Sequence, residues 1–218
     1  MSPIRIDIWS DFVCPFCYMG EALLQQALQD YDDADQVTIH YHSYQLMPDL
    51  APEAAMNSTE LLVQQKGMAR EQAEAANAQV TERAASVGLD YRLEQSIATN
   101  TRTAHRLTHY AAEHGKQRAL VRRLFAAHFT EGLHVGDADT LADLAAEVGL
   151  DRDAAYAVVV GDDYATAVDA DITQARQIGV GGVPFFVFNK RLALSGAQPV
   201  EAFKDALRQA ADEPAESR

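Results

Sequence analysis

Apolar and polar residues alternate at the start of the chain and then change to a helical spacing. Ile4, Ile6 and Ile8 are separated by polar residues, a pattern that predicts a β-strand. Apolar positions then recur every three or four residues between 23 and 31. They predict a helix beginning near Pro15, because proline is favoured in a first helical turn. With a second strand predicted over 37–44, the chain opens as strand, helix, strand.

The middle of the chain has helical spacing throughout. From about Asn57 to Ile178 the apolar positions predict seven helices, the last of which ends at Gly179. Asn57 followed three residues later by Glu60 predicts a capping pair at the start of the first of these helices, and Gly67 predicts its end. No fixed repeat period is present, so a helical solenoid is not indicated.

The last part of the chain returns to strand spacing. An apolar run over 183–188 predicts a buried strand, Asn189 and Lys190 predict a turn, and residues 191–195 predict a second strand before a closing helix. The strands of the two ends need each other to complete one sheet. We therefore predict a split α/β domain of residues 1–55 and 180–211, a helical insertion over 56–179 and a disordered tail over 212–218.

Composition and charge exclude several classes of protein. The chain has 218 residues, of which 48% are hydrophobic and 23% charged, as is ordinary for a globular protein with a full core. Its net charge of −14 repels phosphate backbones and anionic membranes, so we expect neither as a partner. No signal peptide and no membrane-spanning stretch is recognisable, which predicts a cytoplasmic protein.

The two cysteines, Cys14 and Cys17, stand three apart where the first strand meets the first helix. One interpretation is that they are buried and inert. A second is half of a zinc site, which needs two further ligands such as His40 and His42. The interpretation that we favour is a redox pair, because a Cys-x-x-Cys that begins a helix after a strand is typical of thiol-disulfide exchange. No metal is then expected.

The position of each cysteine suggests a division of roles. Cys14 stands at the helix start, where unpaired N–H groups and the helix dipole favour a thiolate, the species that attacks disulfides. Cys17 lies one turn further in and is expected to be more shielded. We predict that Cys14 attacks and Cys17 resolves the mixed disulfide, while Pro15 stiffens the turn between them.

A second motif, Gly181-Gly182-Val183-Pro184, opens the later strand. A glycine-rich turn entering a strand is the plain interpretation. A proline at the start of a buried strand also suggests a cis Val183–Pro184 bond. Such a bond would present the main chain of Val183 as an edge for an extended peptide.

Together these motifs resemble the thioredoxin-fold DsbA family, and most closely its cytoplasmic FrnE-type branch. The matching segments, which span nearly the whole chain, are residues 10–20 (SDFVCPFCYMG), 100–107 (NTRTAHRL), 182–187 (GVPFFV) and 195–199 (SGAQP). The resemblance implies a thioredoxin-like α/β fold with a large all-helical insertion. It also implies that Cys14 and Cys17 are catalytic and that Pro184 is the cis proline.

One residue departs from the family pattern, and several others are weaker candidates. Periplasmic members usually have histidine where this chain has Phe16, whose neutral ring cannot stabilise a thiolate, so we expect a less oxidising protein. Trp9 and Phe12 flank the cysteine loop and either line a peptide groove or pack the core. Asn100 and His105 lie on a helix predicted over 99–114 and either shape the cleft or serve the helix start and its packing, the interpretation that we favour.

These observations predict a dithiol-disulfide oxidoreductase or isomerase without a bound cofactor. Its expected partners are unfolded or disulfide-bearing proteins and a thiol reductant such as glutathione or a thioredoxin system. One rival is a glutathione-dependent isomerase or transferase of the kappa or 2-hydroxychromene-2-carboxylate isomerase kind, but those enzymes have serine at the position of Cys14. A second rival is a holdase whose cysteines only report redox state.

Overall fold

A four-stranded sheet forms the centre of the fold in the computed structural model, which describes residues 3–51 and 56–212. In chain order the elements are β1 (Ile4–Ser10), α1 (Pro15–Gln29), β2 (Val37–Ser43), β3 (Met56–Asn57), α2 (Ser58–Lys66), α3 (Arg70–Ser86), β4 (Ile97–Ala98), α4 (Arg102–Glu113), α5 (Gln117–Phe129), α6 (Ala138–Glu147), α7 (Arg152–Val160), α8 (Ala165–Gln177), β5 (Phe185–Phe188), β6 (Leu192–Ser195) and α9 (Val200–Asp212). The helices α2 to α8 are therefore inserted between the second and third strands of the sheet.

The order of the strands explains why both ends of the chain are needed. The sheet runs β2-β1-β5-β6, with β1 parallel to β2 and antiparallel to β5. Trp9, near the end of β1, pairs with Phe185 at the start of β5. The loop that leaves β1 and the loop that enters β5 consequently lie at the same end of the sheet. The predicted completion of one sheet by the two halves is confirmed.

One hydrophobic core runs through the sheet and the insertion. The alternating Ile4, Ile6 and Ile8 of β1 are buried, as their spacing predicts. The same cluster of buried residues includes Leu107 of α4 and Phe125 of α5. Helix α9 covers α1 and the sheet by its own apolar face. Because this core is continuous, the insertion packs directly against the sheet and shares one core with it.

The insertion begins as predicted but is not all-helical. Asn57 forms a capping box with Glu60, and Gly67 ends α2 in the left-handed conformation. Two short strands, β3 and β4, pair antiparallel within the insertion. A residue that caps a helix has an extended backbone, so Asn57 is free to pair with a neighbouring strand. Helix α4 starts at Arg102 rather than near position 99, because the chain up to Ala98 belongs to β4.

A buried charged cluster joins the sheet to the insertion. The ring of His42, on β2, is hydrogen-bonded through Nε2 to Asp7 of β1 at 2.8 Å and through Nδ1 to Asp171 of α8 at 2.7 Å. The second carboxylate oxygen of Asp171 accepts from the backbone N–H of Ser43 and lies 3.1 Å from Nε2 of His109. Burial works to lower the pKa of His42, but the two carboxylates outweigh it and raise the pKa to about 9. The imidazolium is therefore charged at neutral pH.

Asp212 is the last residue of α9, and the rest of the predicted tail, 213–218, lies outside the described residues. In the described part of the chain, no helix has both the length and the apolar composition needed to cross a bilayer.

Candidate active site

Cys14 lies at the N-terminus of α1, four residues after the end of β1 at Ser10. It is the N-cap residue, with an extended backbone (φ −91°, ψ 111°), and Pro15 follows as the first helical residue. The backbone N–H of Cys17 donates to the Cys14 carbonyl at 3.0 Å. No acidic residue stands in the first turn of α1, so no side-chain charge there offsets the positive end of the helix dipole. The positive end of the helix dipole therefore lies beside Cys14.

The loop before β5 faces Cys14. The Val183–Pro184 peptide bond is cis, as predicted. The Cys14 thiol donates to the Val183 carbonyl oxygen, with 3.5 Å between Sγ and O. Helix α1 also comes very close to this loop at Gly20, where an added Cβ would lie 3.0 Å from the side chains of both Pro184 and Phe186. The predicted juxtaposition of the cysteine pair and Pro184 is confirmed.

Cys17 is held deeper, in a fully desolvated position. Both thiols are free and both residues are buried, with exposed fractions of 4% for Cys14 and 2% for Cys17. The sulfur of Cys17 accepts a hydrogen bond from the backbone N–H of Asp11 at 3.5 Å. Burial, and secondarily the neighbouring Cys14, raises the pKa of the Cys17 thiol well above its usual value. Cys17 is therefore protonated at neutral pH in this reduced form.

Buried polar groups stand behind the cysteine loop. Asp11 is fully buried; one carboxylate oxygen accepts from the Leu46 N–H at 2.7 Å, and the other lies 3.4 Å from Nε2 of His105. The His105 ring also packs against Phe12, with 4.7 Å between ring centroids. Asp11 is not among the site residues predicted from the sequence, because an acid beside a cysteine motif has no distinctive spacing. His105 thus lies next to the loop that carries the cysteines.

A positive charge lies beside Phe16, where sequence reasoning expected none. Phe16 is 36% exposed, and the guanidinium carbon of Arg83 lies 5.3 Å from its ring centroid, in a cation–π contact. Arg83 belongs to α3 of the insertion and donates to the Ala197 carbonyl at 2.9 Å. It bridges the insertion and the segment that precedes α9, across the mouth of the cysteine loop.

A cavity of about 250 Å³ opens next to the same loop. Val13, Pro15 and Phe16 form one wall, and the others are formed by residues of α2, α3 and α5 together with the segment between α3 and α4. Its lining is mostly apolar, with the buried His128 among the few polar residues. Burial, followed by the weaker effect of His134, lowers the pKa of His128 to about 4 despite the charge of Asp11. The imidazole is therefore neutral.

The weaker sequence candidates fall into two groups. Trp9 and Phe12 are both buried: Trp9 stacks on His42 and donates to the Asp171 carbonyl, while Phe12 packs on the core of α5. Asn100 donates to two carbonyls of the loop at 48–50 and accepts from the Arg102 N–H, so it holds the loop and the start of α4 together. These contacts agree with the packing interpretation of each residue.

The histidines of β2 lie away from the cysteines. His42 is engaged by the carboxylates of Asp7 and Asp171, described above, and His40 pairs across the sheet with Asp7. Within the described ranges, no group of three or more histidine, cysteine or acidic side chains is arranged to hold a metal ion.

The fold and the placement of the cysteines at the start of α1, opposite a cis proline, define a thioredoxin-like protein. Residues 5–208 match the family of the DsbA-like thioredoxin domain, and the chain belongs to that family. The structure of a probable DsbA oxidoreductase from Streptomyces coelicolor, SCO1869, is 36% identical and superimposes with a TM-score of 0.92, covering 99% of this chain and 93% of that one.

Two more distant structures share the fold. A 2-hydroxychromene-2-carboxylate isomerase superimposes with a TM-score of 0.71 at 20% identity, covering 96% of this chain and 99% of that one. The cytosolic disulfide reductase DsbM from Pseudomonas aeruginosa, in its structure with GSH, gives a TM-score of 0.64 at 16% identity, covering 95% and 99%. At these identities the likeness concerns the fold alone.

Proposed function

We propose that this protein is a thiol-disulfide oxidoreductase whose Cys14–Cys17 dithiol exchanges disulfides with protein or small thiol substrates. The observation that carries the proposal is the position of Cys14, which is the N-cap residue of α1. Its sulfur lies 3.5 Å from the carbonyl oxygen of Val183, the residue before the cis proline. A helix N-terminus favours the thiolate that such exchange needs, and the neighbouring loop offers main chain to an extended substrate.

The exchange follows from the different surroundings of the two sulfurs. The Cys14 thiolate attacks one sulfur of a substrate disulfide; a Cys14–substrate disulfide forms while the substrate S–S bond breaks and its second sulfur leaves as a thiolate. Cys17 then loses its proton to solvent and attacks the Cys14 sulfur. The Cys14–Cys17 disulfide forms, the substrate leaves with two electrons, and both substrate sulfurs end as thiols.

The residues around the two cysteines contribute by placing the backbone and the sulfurs relative to each other. Pro15 begins the helix, and Val183 supplies main chain next to the reacting sulfur. Pro184 and Gly20 set how closely that main chain approaches α1. Phe16 separates the cysteines and carries the Arg83 contact on its exposed face.

We propose glutathione or a thioredoxin system as the electron donor, and a cytoplasmic location. The DsbM structure supports both, since that protein is a cytosolic disulfide reductase and its structure includes GSH. In a compartment poised by glutathione, a pair of intermediate potential is kept reduced and reduces or shuffles disulfides more readily than it forms them.

Reduction of insulin by dithiothreitol tests the proposal. The wild-type protein should accelerate it, Cys14→Ser should abolish the acceleration, and Cys17→Ser should accumulate a mixed disulfide on Cys14. A glutathione-dependent isomerase would instead turn over its substrate without needing Cys17, and a holdase would suppress aggregation equally well in both variants. Either result would contradict the proposed disulfide exchange and favour that other function instead.

A further inference from the structure

Arg83 differs from most arginines of this acidic protein because, within the described residues, no carboxylate pairs with it. Arg123 and Arg152, by contrast, each pair with two acids. Among the described residues the Arg83 side chain has one hydrogen-bond partner, the Ala197 carbonyl, and it otherwise lies exposed over the Phe16 ring. In a chain with a net charge of −14, an unpaired guanidinium at the reactive loop is a local site of attraction for an anion.

The apolar cavity adjoins the same ring. Phe16 lines the cavity and also receives Arg83, so the two features share one side chain. On α3, Ala76 and Val80 line the cavity, and Arg83 follows Val80 by about one helical turn. The volume of about 250 Å³ exceeds that of an apolar protein cavity of about 150 Å³ known to hold benzene, so one aromatic ring fits.

We propose that the cavity and Arg83 together form a subsite for the group attached to the sulfur that Cys14 attacks. The proposal rests on the proposed disulfide exchange and names its substrate class: low-molecular-weight disulfides whose sulfur carries an aromatic or similarly apolar body with a carboxylate on it. The body enters the cavity, and the carboxylate pairs with the guanidinium at the rim. His128, whose Nδ1 is buried without a hydrogen-bond partner in the described structure, offers the cavity one neutral polar contact.

Four model disulfides separate the two parts of this subsite. The probes are 5,5′-dithiobis(2-nitrobenzoate), aromatic and anionic; 4,4′-dithiodipyridine, aromatic and neutral; 3,3′-dithiodipropionate, aliphatic and anionic; and bis(2-hydroxyethyl) disulfide, aliphatic and neutral. Each is mixed with the pre-reduced full-length protein, which becomes oxidised while the probe is reduced to two thiols. The single-turnover rate is measured by acid quench and mass spectrometry.

Two variants, each with a control on the same helix, test the two parts. Arg83→Gln should slow the anionic probes relative to the neutral ones by about three- to fivefold, whereas Arg70→Gln, with the same change of charge, should not alter that ratio. Ala76→Leu, which fills the cavity, should slow the aromatic probes relative to the aliphatic ones by about tenfold. Ala75→Leu, on an exposed position outside the cavity, should leave this second ratio unchanged.

Ratios between probes separate the subsite from any general change in the reactivity of Cys14, which would slow all four probes alike. If Arg83→Gln or Ala76→Leu behaves as its control does, the subsite is wrong while disulfide exchange stands. If the pre-reduced wild-type protein reacts with none of the four probes, the proposed function itself fails. Circular dichroism of each variant shows that it is folded, and Val80→Met serves as a milder cavity-filling variant if Ala76→Leu is not.

Discussion

Raising the pH should weaken the contact that His42 makes between the sheet and the insertion. The pKa of His42 is raised to about 9 from 6.5, because Asp171 and Asp7 outweigh the effect of burial. A group whose pKa is raised on folding adds stability that is complete below its unfolded value and is lost as the pH rises through its folded value. The carboxylates, whose pKa values are lowered, lose their contribution only in acid. The window for His42 is therefore pH 6.5 to 9.

The size of the change in unfolding free energy follows from the difference between the folded and unfolded pKa values of His42. A difference of about 2.5 pKa units corresponds to about 3 kcal/mol at full protonation. Between pH 6.5 and 8.5 the linkage relation gives a loss of about 2 kcal/mol from this one group. His42→Gln removes the charge, so the difference in unfolding free energy between wild type and variant should shrink by that amount over the same interval.

Urea denaturation at several pH values measures this difference directly. Subtracting the unfolding free energy of the variant from that of the wild type cancels the contributions of the other titrating groups. One of these is the buried His128, which titrates at lower pH. The control repeats the comparison in the Asp171→Asn background. There, the difference in unfolding free energy caused by His42→Gln should depend much less on pH, because one of the two carboxylates that stabilise the imidazolium is absent. A wild-type to His42→Gln difference that stays constant from pH 6.5 to 8.5 would refute the assignment of a charged His42.

Three further predictions concern the cysteine loop. Cys14 should be alkylated by iodoacetamide before Cys17, since burial keeps Cys17 protonated, and peptide mass mapping that finds the reverse order would overturn the division of roles. Gly20→Ala should lower the unfolding free energy by about 1–2 kcal/mol, as overpacking against Pro184 exceeds the gain in helix propensity; an unchanged urea midpoint would show that the loop yields without cost. Phe16→His should raise the reduction potential by about 30 mV or more in glutathione buffers, and an unchanged potential would contradict the role given to this position.

Much of the fold was predictable because its signals are local. Three of these signals each depend on a few neighbouring residues: the alternation in β1, the capping pair at Asn57, and the turn at Asn189 and Lys190, both of which have positive φ. The cysteine motif is local in the same sense, since a Cys-Pro-x-Cys after a strand fixes both the helix start and the position of Cys14 in it.

What the sequence could not predict depends on contacts between distant residues. Arg83 lies 67 positions from Phe16, and no spacing rule connects a residue in the last turn of α3 with one in the first turn of α1. The pairing of β3 with β4 involves two residues on each strand, too few to produce an alternating pattern. The alternatives left open for Trp9 also needed the fold, because only the placement of Asp171 on α8 shows what covers the indole.

The measurement that tests the account most directly is a redox titration of the Cys14–Cys17 pair in glutathione buffers, read by mass spectrometry after acid quench. The account predicts an intramolecular disulfide in a two-electron equilibrium with glutathione, with a midpoint on the order of −150 to −250 mV. It also predicts that the glutathione adduct that appears in Cys17→Ser lies on Cys14. Failure of the two cysteines to form a disulfide with each other at any ratio of oxidised to reduced glutathione would contradict it.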